Sequence, residues 1–312
     1  MGRRVAAALS LACAGLAGCA EGALGADVPS ERAQSAAEAL VLVERTDFAA
    51  GTALLREDDP ASEARSNVTA KVVRLAAGAD RAFALEVVGA SLEGPALGTC
   101  RPVSSATLEP DRGRAIELLP IGELSLEIDG ASSARVPLAT RAFPDVGELV
   151  SGVFYTSEDS GLELPSGARY RLRSADLSEP IVEERAPELP RNVRVAGEPL
   201  EVGAVLRVGE PIELSWDREG RGDRVIVELS SPSGVAVRCA LGDEGWGRLP
   251  AGALDSFVPG DEVLLAVHRV RSVFARAGAD AVIEPAEGVL VPFDGADVRF
   301  DFAIVGHATV AP

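Results

Sequence analysis

Arg169-Tyr170-Arg171-Leu172-Arg173 sets an arginine at every odd position and an aromatic or aliphatic residue at every even one. Successive side chains of a β-strand point to opposite faces, so this stretch reads as a strand with one face in water and the other in a core. The same period of two runs outward along the chain. Phe83, Leu85 and Val87 alternate with Ala84 and Glu86, and Leu124, Leu126 and Ile128 alternate with Ser125 and Glu127. Val225, Val227 and Leu229 lead into the turn Ser230-Ser231-Pro232-Ser233-Gly234, and Val298, Phe300, Phe302 and Ile304 make the last strong strand. Turn residues recur roughly every 8–15 positions, which suits a sandwich better than βαβ units. Pro250 to Phe257 reads as a short helical turn between strands. The expected fold is all-β, with two tandem antiparallel β-sandwich domains.

Glu184-Arg185-Ala186-Pro187-Glu188-Leu189-Pro190 places the boundary between them, because its prolines remove ladder donors and its charges resist burial. The folded body thus divides into 41–188 and 189–312. Ahead of it, residues 19–40 are rich in Ala, Ser and Glu, with Gly22, Gly25 and Pro29, and read as a flexible tether.

At the N-terminus, Arg3 and Arg4 precede a mostly apolar run from Val5 to Leu16. That run has the length of a signal peptide's apolar region and is too short to span a bilayer at ~20 residues. It closes on Leu16-Ala17-Gly18-Cys19, which resembles the lipobox of bacterial lipoproteins. The resemblance implies a signal peptide over 1–18, cleavage between Gly18 and Cys19, and acyl chains on Cys19 that anchor the mature chain to a membrane. Each buried methylene contributes roughly 0.8 kcal/mol, so two or more chains hold stably. Ala20 follows the cysteine, where an Asp would be the usual inner-membrane retention signal, so the expected address is the outer membrane.

The second half carries a further resemblance. Ile212-x-Leu214-x-Trp216, then Val225-x-Val227-x-Leu229, then the Gly-rich stretch around Trp246 leading to Leu249-Pro250, resembles the Ig-like domains of bacterial envelope proteins. The whole is similar to the high-GC envelope lipoproteins of myxobacteria and their relatives. This implies an Ig-like fold for 189–312 and an address, and it carries no activity.

Thirty basic and 48 acidic residues give the chain a net charge of −18. Removal of Arg3 and Arg4 with the signal peptide takes the mature chain to 28 − 48 = −20. Such a charge opposes binding to nucleic acid and to anionic headgroups. Beyond Cys19, the cysteines are Cys100 and Cys239. In an oxidising envelope they could form a disulfide; since they lie in different expected domains, two separate buried thiols are the favoured alternative.

No catalytic motif stands out. His268 and His307 are isolated, whereas a zinc site needs three or four ligands. Glu57-Asp58-Asp59, Ser157-Glu158-Asp159-Ser160-Gly161 and Asp243-Glu244-Gly245 read as solvated loop tips, with a weak cation site as the alternative. Arg221-Gly222-Asp223 is attributed to turn chemistry. Trp216 is expected in a core. Trp246, between two glycines, is also expected to pack; if exposed, it joins Glu158 and Asp159 as a candidate binding loop. The expectation is a non-enzymatic, lipid-anchored envelope protein with a structural, adhesive or partner-binding role and with no cofactor or metal. Its partner would be an envelope protein or polysaccharide. The alternative is a carbohydrate- or cation-binding accessory module.

Overall fold

The computed structural model describes residues 36–50, 52, 64–76, 81–89, 94–103, 116–130, 134–143, 150–157, 162–175, 177, 179–278, 281–285 and 290–312. In chain order the elements are β1 (Ala37–Phe48), β2 (Arg65–Leu75), α1 (Arg81–Val87), β3 (Cys100–Pro102), β4 (Ile116–Leu118), β5 (Leu124–Asp129), β6 (Ala134–Ala142), β7 (Val150–Thr156) and β8 (Arg169–Ser174). There follow β9 (Val182–Arg185), β10 (Arg194–Val195), β11 (Glu198–Pro199), β12 (Ala204–Arg207), β13 (Ile212–Ser215), β14 (Arg224–Ser230), β15 (Ala236–Gly242) and β16 (Trp246–Leu249). A 3₁₀ turn at Ala251–Leu254 leads to β17 (Glu262–Arg276), β18 (Val282–Ile283) and β19 (Val291–Ala311). The fold is all-β, as the alternation predicts.

One long sheet runs β3-β15-β14-β17-β19-β1-β2-β4-β7-β6-β5-β8-β9, and a four-stranded sheet runs β11-β10-β13-β16. Most neighbours are antiparallel, but β1 lies parallel to β19 over twelve residue pairs. Two further parallel pairs join β12 to β19 and β4 to β7. β5, β6 and β8 lie over β1, β2 and the first half of β19, so that Leu126, Ile128 and Leu172 meet Val41, Val43 and Val298. In this core the Tyr170 ring stands edge-on to Phe300 with centroids 5.4 Å apart. The second core lies between β14, β15 and β17 on one side and β13 and β16 on the other, with Trp216, Phe257 and Leu265 at its centre.

The two cores are not divided at 188/189 as expected. Val291, Phe293, Val298 and Phe300 of the last strand belong to the first core, while Ala308 and Val310 of the same strand belong to the second. Residues Gln34–Pro312 make one compact unit. A bulge lets β19 serve both: the register shifts beside Gly295 (φ +140°), so Phe293 and then Ala296, Val298 and Phe300 all face inward. A Cβ at Gly295 would lie 2.1 Å from the Ala275 carbonyl oxygen, so only glycine fits.

Three local expectations change. Residues 37–40, assigned to the tether, are the start of β1, with Ala37, Ala39 and Leu40 buried. Residues 81–87, read as a strand, form α1, which buries Ala84 and Leu85, with Val88 buried just past its end, at helical rather than alternate spacing. Cys100 and Cys239 are joined by a disulfide that ties β3 to β15. The two cysteines meet because β3, from the first half of the chain, pairs with β15 at the edge of the second half's sheet.

Candidate functional site

Even-numbered residues of β14, β15 and β17, odd-numbered residues of β19 and even-numbered residues of β1 share the face of the long sheet opposite the cores. There the alternation puts charge. On β17 and β19, the His268 Nδ1 lies 2.7 Å from Asp301 Oδ1, and an Arg299 NηH donates to Asp301 Oδ2 at 2.8 Å. Arg238 on β15 donates through Nε and Nη2 to Glu228 Oε2 on β14, at 3.0 and 2.6 Å. Lys71 on β2 donates to the Val88 carbonyl beyond α1. Gly94 and the bridge of Leu97 to Ala240 bring the following segment across the same face. Between them lie a cleft of about 540 Å³ near Arg224, Val270 and Arg299, and a smaller one of about 150 Å³ near Lys71, Glu44 and Arg299.

The electrostatics follow from burial and pairing. Burial disfavours the charge on Asp301, yet the hydrogen bond and charge of His268, with Arg299 beside them, hold its carboxyl below the usual value. Burial lowers the Lys71 ammonium, and Glu44 opposes that shift in part. A histidine held by a carboxylate is one half of a nucleophile-activating arrangement. Ser272, the serine on the same face of β17, stands four residues from His268, about 13 Å along the strand. The His268–Asp301–Arg299 group therefore fixes its own members and leaves a charged, concave surface.

On the core side of β17, the alternation of Val263, Leu265 and Val267 continues into Arg269 and Arg271, which are 1% and 8% exposed. These arginines sit where the first core gives way to the second. Arg271 forms a fork on Asp223 (2.8 and 2.6 Å), reaches Glu219 Oε1 at 2.8 Å and donates to the Arg185 carbonyl at 2.7 Å. Arg269 donates to the carbonyls of Glu188 (3.0 Å) and Asp217 and to Asp243 Oδ1 (3.1 Å). Asp243 also accepts from the Trp216 indole N–H at 2.6 Å and the Glu219 backbone N–H at 3.1 Å. The proline-rich boundary segment is thus gripped by a buried ion cluster. Burial raises Glu219, but the hydrogen bonds from Arg271 and from the Glu188 N–H outweigh it and leave the carboxyl below its ordinary value.

Several residues singled out from sequence belong to this cluster. Asp223 of Arg221-Gly222-Asp223 is buried against Arg271, and Asp243 of the third acidic loop is buried against Arg269. Trp216 packs in the second core. Contrary to the expectation that it packs, Trp246 is 68% exposed at the start of β16, opposite Ser215. Its neighbour Gly247 lies so close to Leu241 that a Cβ would come within 2.5 Å, so β16 rests on the core while Trp246 points away. His307, on β19, packs against Gly203 with a buried Nδ1 that has no hydrogen-bond partner among the described residues. Glu158, Asp159, Glu57, Asp58, Asp59, Gly18 and Cys19 lie outside the described residues.

The inward arginines were the missed functional residues. Their signal was present in the parity of Val263, Leu265, Val267, Arg269 and Arg271. Among the described residues no group of three or more His, Cys, Asp or Glu side chains is placed to hold a metal. Among them, too, no helix is long and apolar enough to cross a membrane. No known family model matches the chain, and a search of the curated proteins finds no match.

Proposed function

We propose that this chain is a non-enzymatic lipoprotein of the bacterial outer membrane, anchored through Cys19, whose folded body binds an envelope partner. The anchor is supported by Arg3-Arg4, the short apolar run and Leu16-Ala17-Gly18-Cys19. The binding role is supported above all by Trp246, a large aromatic side chain standing out from the edge strand of the four-stranded sheet. Exposed tryptophans are favoured anchors of partner surfaces because they bury much area with few rotatable bonds. The use of the ionisable groups agrees with this: Asp223, Asp243, Arg269 and Arg271 hold the two cores together, and His268 is held by Asp301.

Cys19→Ser tests the anchor. The expected result is that the wild-type chain takes up radioactive fatty acid and fractionates with the outer membrane and that the variant does neither. Retention of label by the variant overturns the lipoprotein reading. A carbohydrate-binding accessory role is the second reading, since an exposed tryptophan also forms a platform for a sugar ring. A glycan panel that leaves the tryptophan emission of the wild-type chain unchanged removes that reading.

A further inference from the structure

We infer that the open edge of β17 at Arg271–Arg276 takes up an extended acidic segment of a partner protein as an added β-strand. This rests on reading the chain as a partner-binding protein and names the surface and the partner's chemistry. β19 pairs with β17 along its whole length, from Glu262 to Arg276, but β14 pairs with it only from Leu264 to Val270. Past Val270 no strand among the described residues pairs with that side. The direction of the free groups follows from the register. The Val310 N–H donates to the Asp261 carbonyl and the Ala277 N–H to the Asp294 carbonyl, at either end of the β17–β19 ladder. Odd residues of β17 therefore bond to β19, and even ones turn their N–H and C=O the other way. Ser272, Phe274 and Arg276 thus present three donors and three acceptors along about 13 Å of free edge.

Such an edge is a template for another strand, and charge decides which strand it accepts. The adjoining 540 Å³ cleft is lined, among the described residues, by five arginines against Asp223 and Asp297, in a chain whose net charge is −18. Among the described residues, Arg224 on the cleft and Arg276 on the edge have no ion-pair partner. A second copy of this chain would bring the same arginine-lined cleft and Arg276 up to this edge rather than acidic side chains, which disfavours self-pairing. An incoming strand with acidic side chains on the cleft face meets Arg224 and Arg276. Its other face meets Val273 and Ala275, which are half-buried, and Phe274, 46% exposed, offers apolar contact beside the arginines.

The test uses the full-length chain in micelles of uncharged detergent and a fluorescein-labelled peptide of six Glu-Val repeats, with the Lys-Val peptide as control, followed by anisotropy. The expected result is saturable binding of the Glu-Val peptide and at least tenfold weaker binding of the control. Phe274→Pro removes an outward N–H without touching the β19 ladder and weakens the Glu-Val peptide at least tenfold. The paired change Arg224→Glu and Arg276→Glu does the same and transfers preference to the Lys-Val peptide; it carries the test alone if the proline variant misfolds. No saturation by about 1 mM peptide, or unchanged affinity in the charge-reversed variant, overturns the inference. A photo-crosslinking residue placed at position 246 or 274 in intact cells separates the two levels of the argument. Capture at 246 alone overturns the edge and leaves the partner-binding reading, whereas capture at neither overturns both.

Discussion

Arg271→Met is the most informative single perturbation of the fold. It keeps the length of the aliphatic stem and removes the guanidinium that bonds Asp223, Glu219 and the Arg185 carbonyl. Asp223 is then left buried with no counter-charge. Breaking a buried pair from one side costs about 3–5 kcal/mol, much of it the penalty of the orphaned carboxylate. For a unit of this size, about 2 °C of melting temperature corresponds to each kcal/mol, so the expected loss is roughly 5–10 °C. Adding Asp223→Leu to Arg271→Met removes the orphan, and the double variant is expected to regain at least half of the loss. Urea titration followed by tryptophan emission reads the change directly, because Trp216 lies within the cluster through its bond to Asp243. Since Arg271 also holds the boundary segment, the wild-type chain is expected to unfold in one transition and the single variant in two. A midpoint shift worth less than about 1 kcal/mol, or a double variant no better than the single one, refutes the assignment of this cluster as the clasp between the cores.

Acid is expected to attack the same clasp and the outer face. Glu219 and Asp301 both have carboxyls held below their ordinary values in the folded state, so each contributes stability that is present above the unfolded value and lost as pH falls through the folded one. Stability should therefore be flat near neutrality and decline below about pH 4.5, the more so in salt-free buffer; Glu219→Gln should flatten part of that decline, and an unchanged slope would count against the assignment. Replacing both Cys100 and Cys239 by Ala is expected to cost about 2–5 kcal/mol, because the bridge closes a loop of 139 positions. An equal loss on adding reductant to the wild-type chain checks that the bond rather than the packing is responsible.

How far the fold was legible depends on the range of the signal. Arg169–Arg173, Leu124–Ile128 and Val225–Leu229 became β8, β5 and β14 because alternation is a local property and one face of each meets a core. Residues 81–87 misled because three alternating apolar side chains fit a strand and a two-turn helix almost equally well. The clasp was hidden for another reason. Two arginines continuing an apolar face look like a strand leaving its core unless their partners are known, and Asp223 and Asp243 lie 48 and 26 positions away in loops. The disulfide could be offered only as one of two alternatives, and the partnership of β1 with β19 was invisible, since nothing in either strand names its neighbour. Of the candidate site, Trp246 could be marked from its two flanking glycines, while the open edge of β17 exists only because β14 starts at Arg224.

The parallel pairing of β1 with β19 sets an order of events for a chain that emerges from its N-terminus. β1 can pair with β2 early, yet its other side, and with it Val41 and Val43, waits for Phe300 and Phe302, more than 250 positions later. Contacts at such separation form slowly, and until they form the apolar face stays open to unwanted association. Neither core is complete in any fragment that lacks the last strand. A product that stops short of β19 therefore completes neither core: the 21 residues of that strand act as a checkpoint on the way to the stable state.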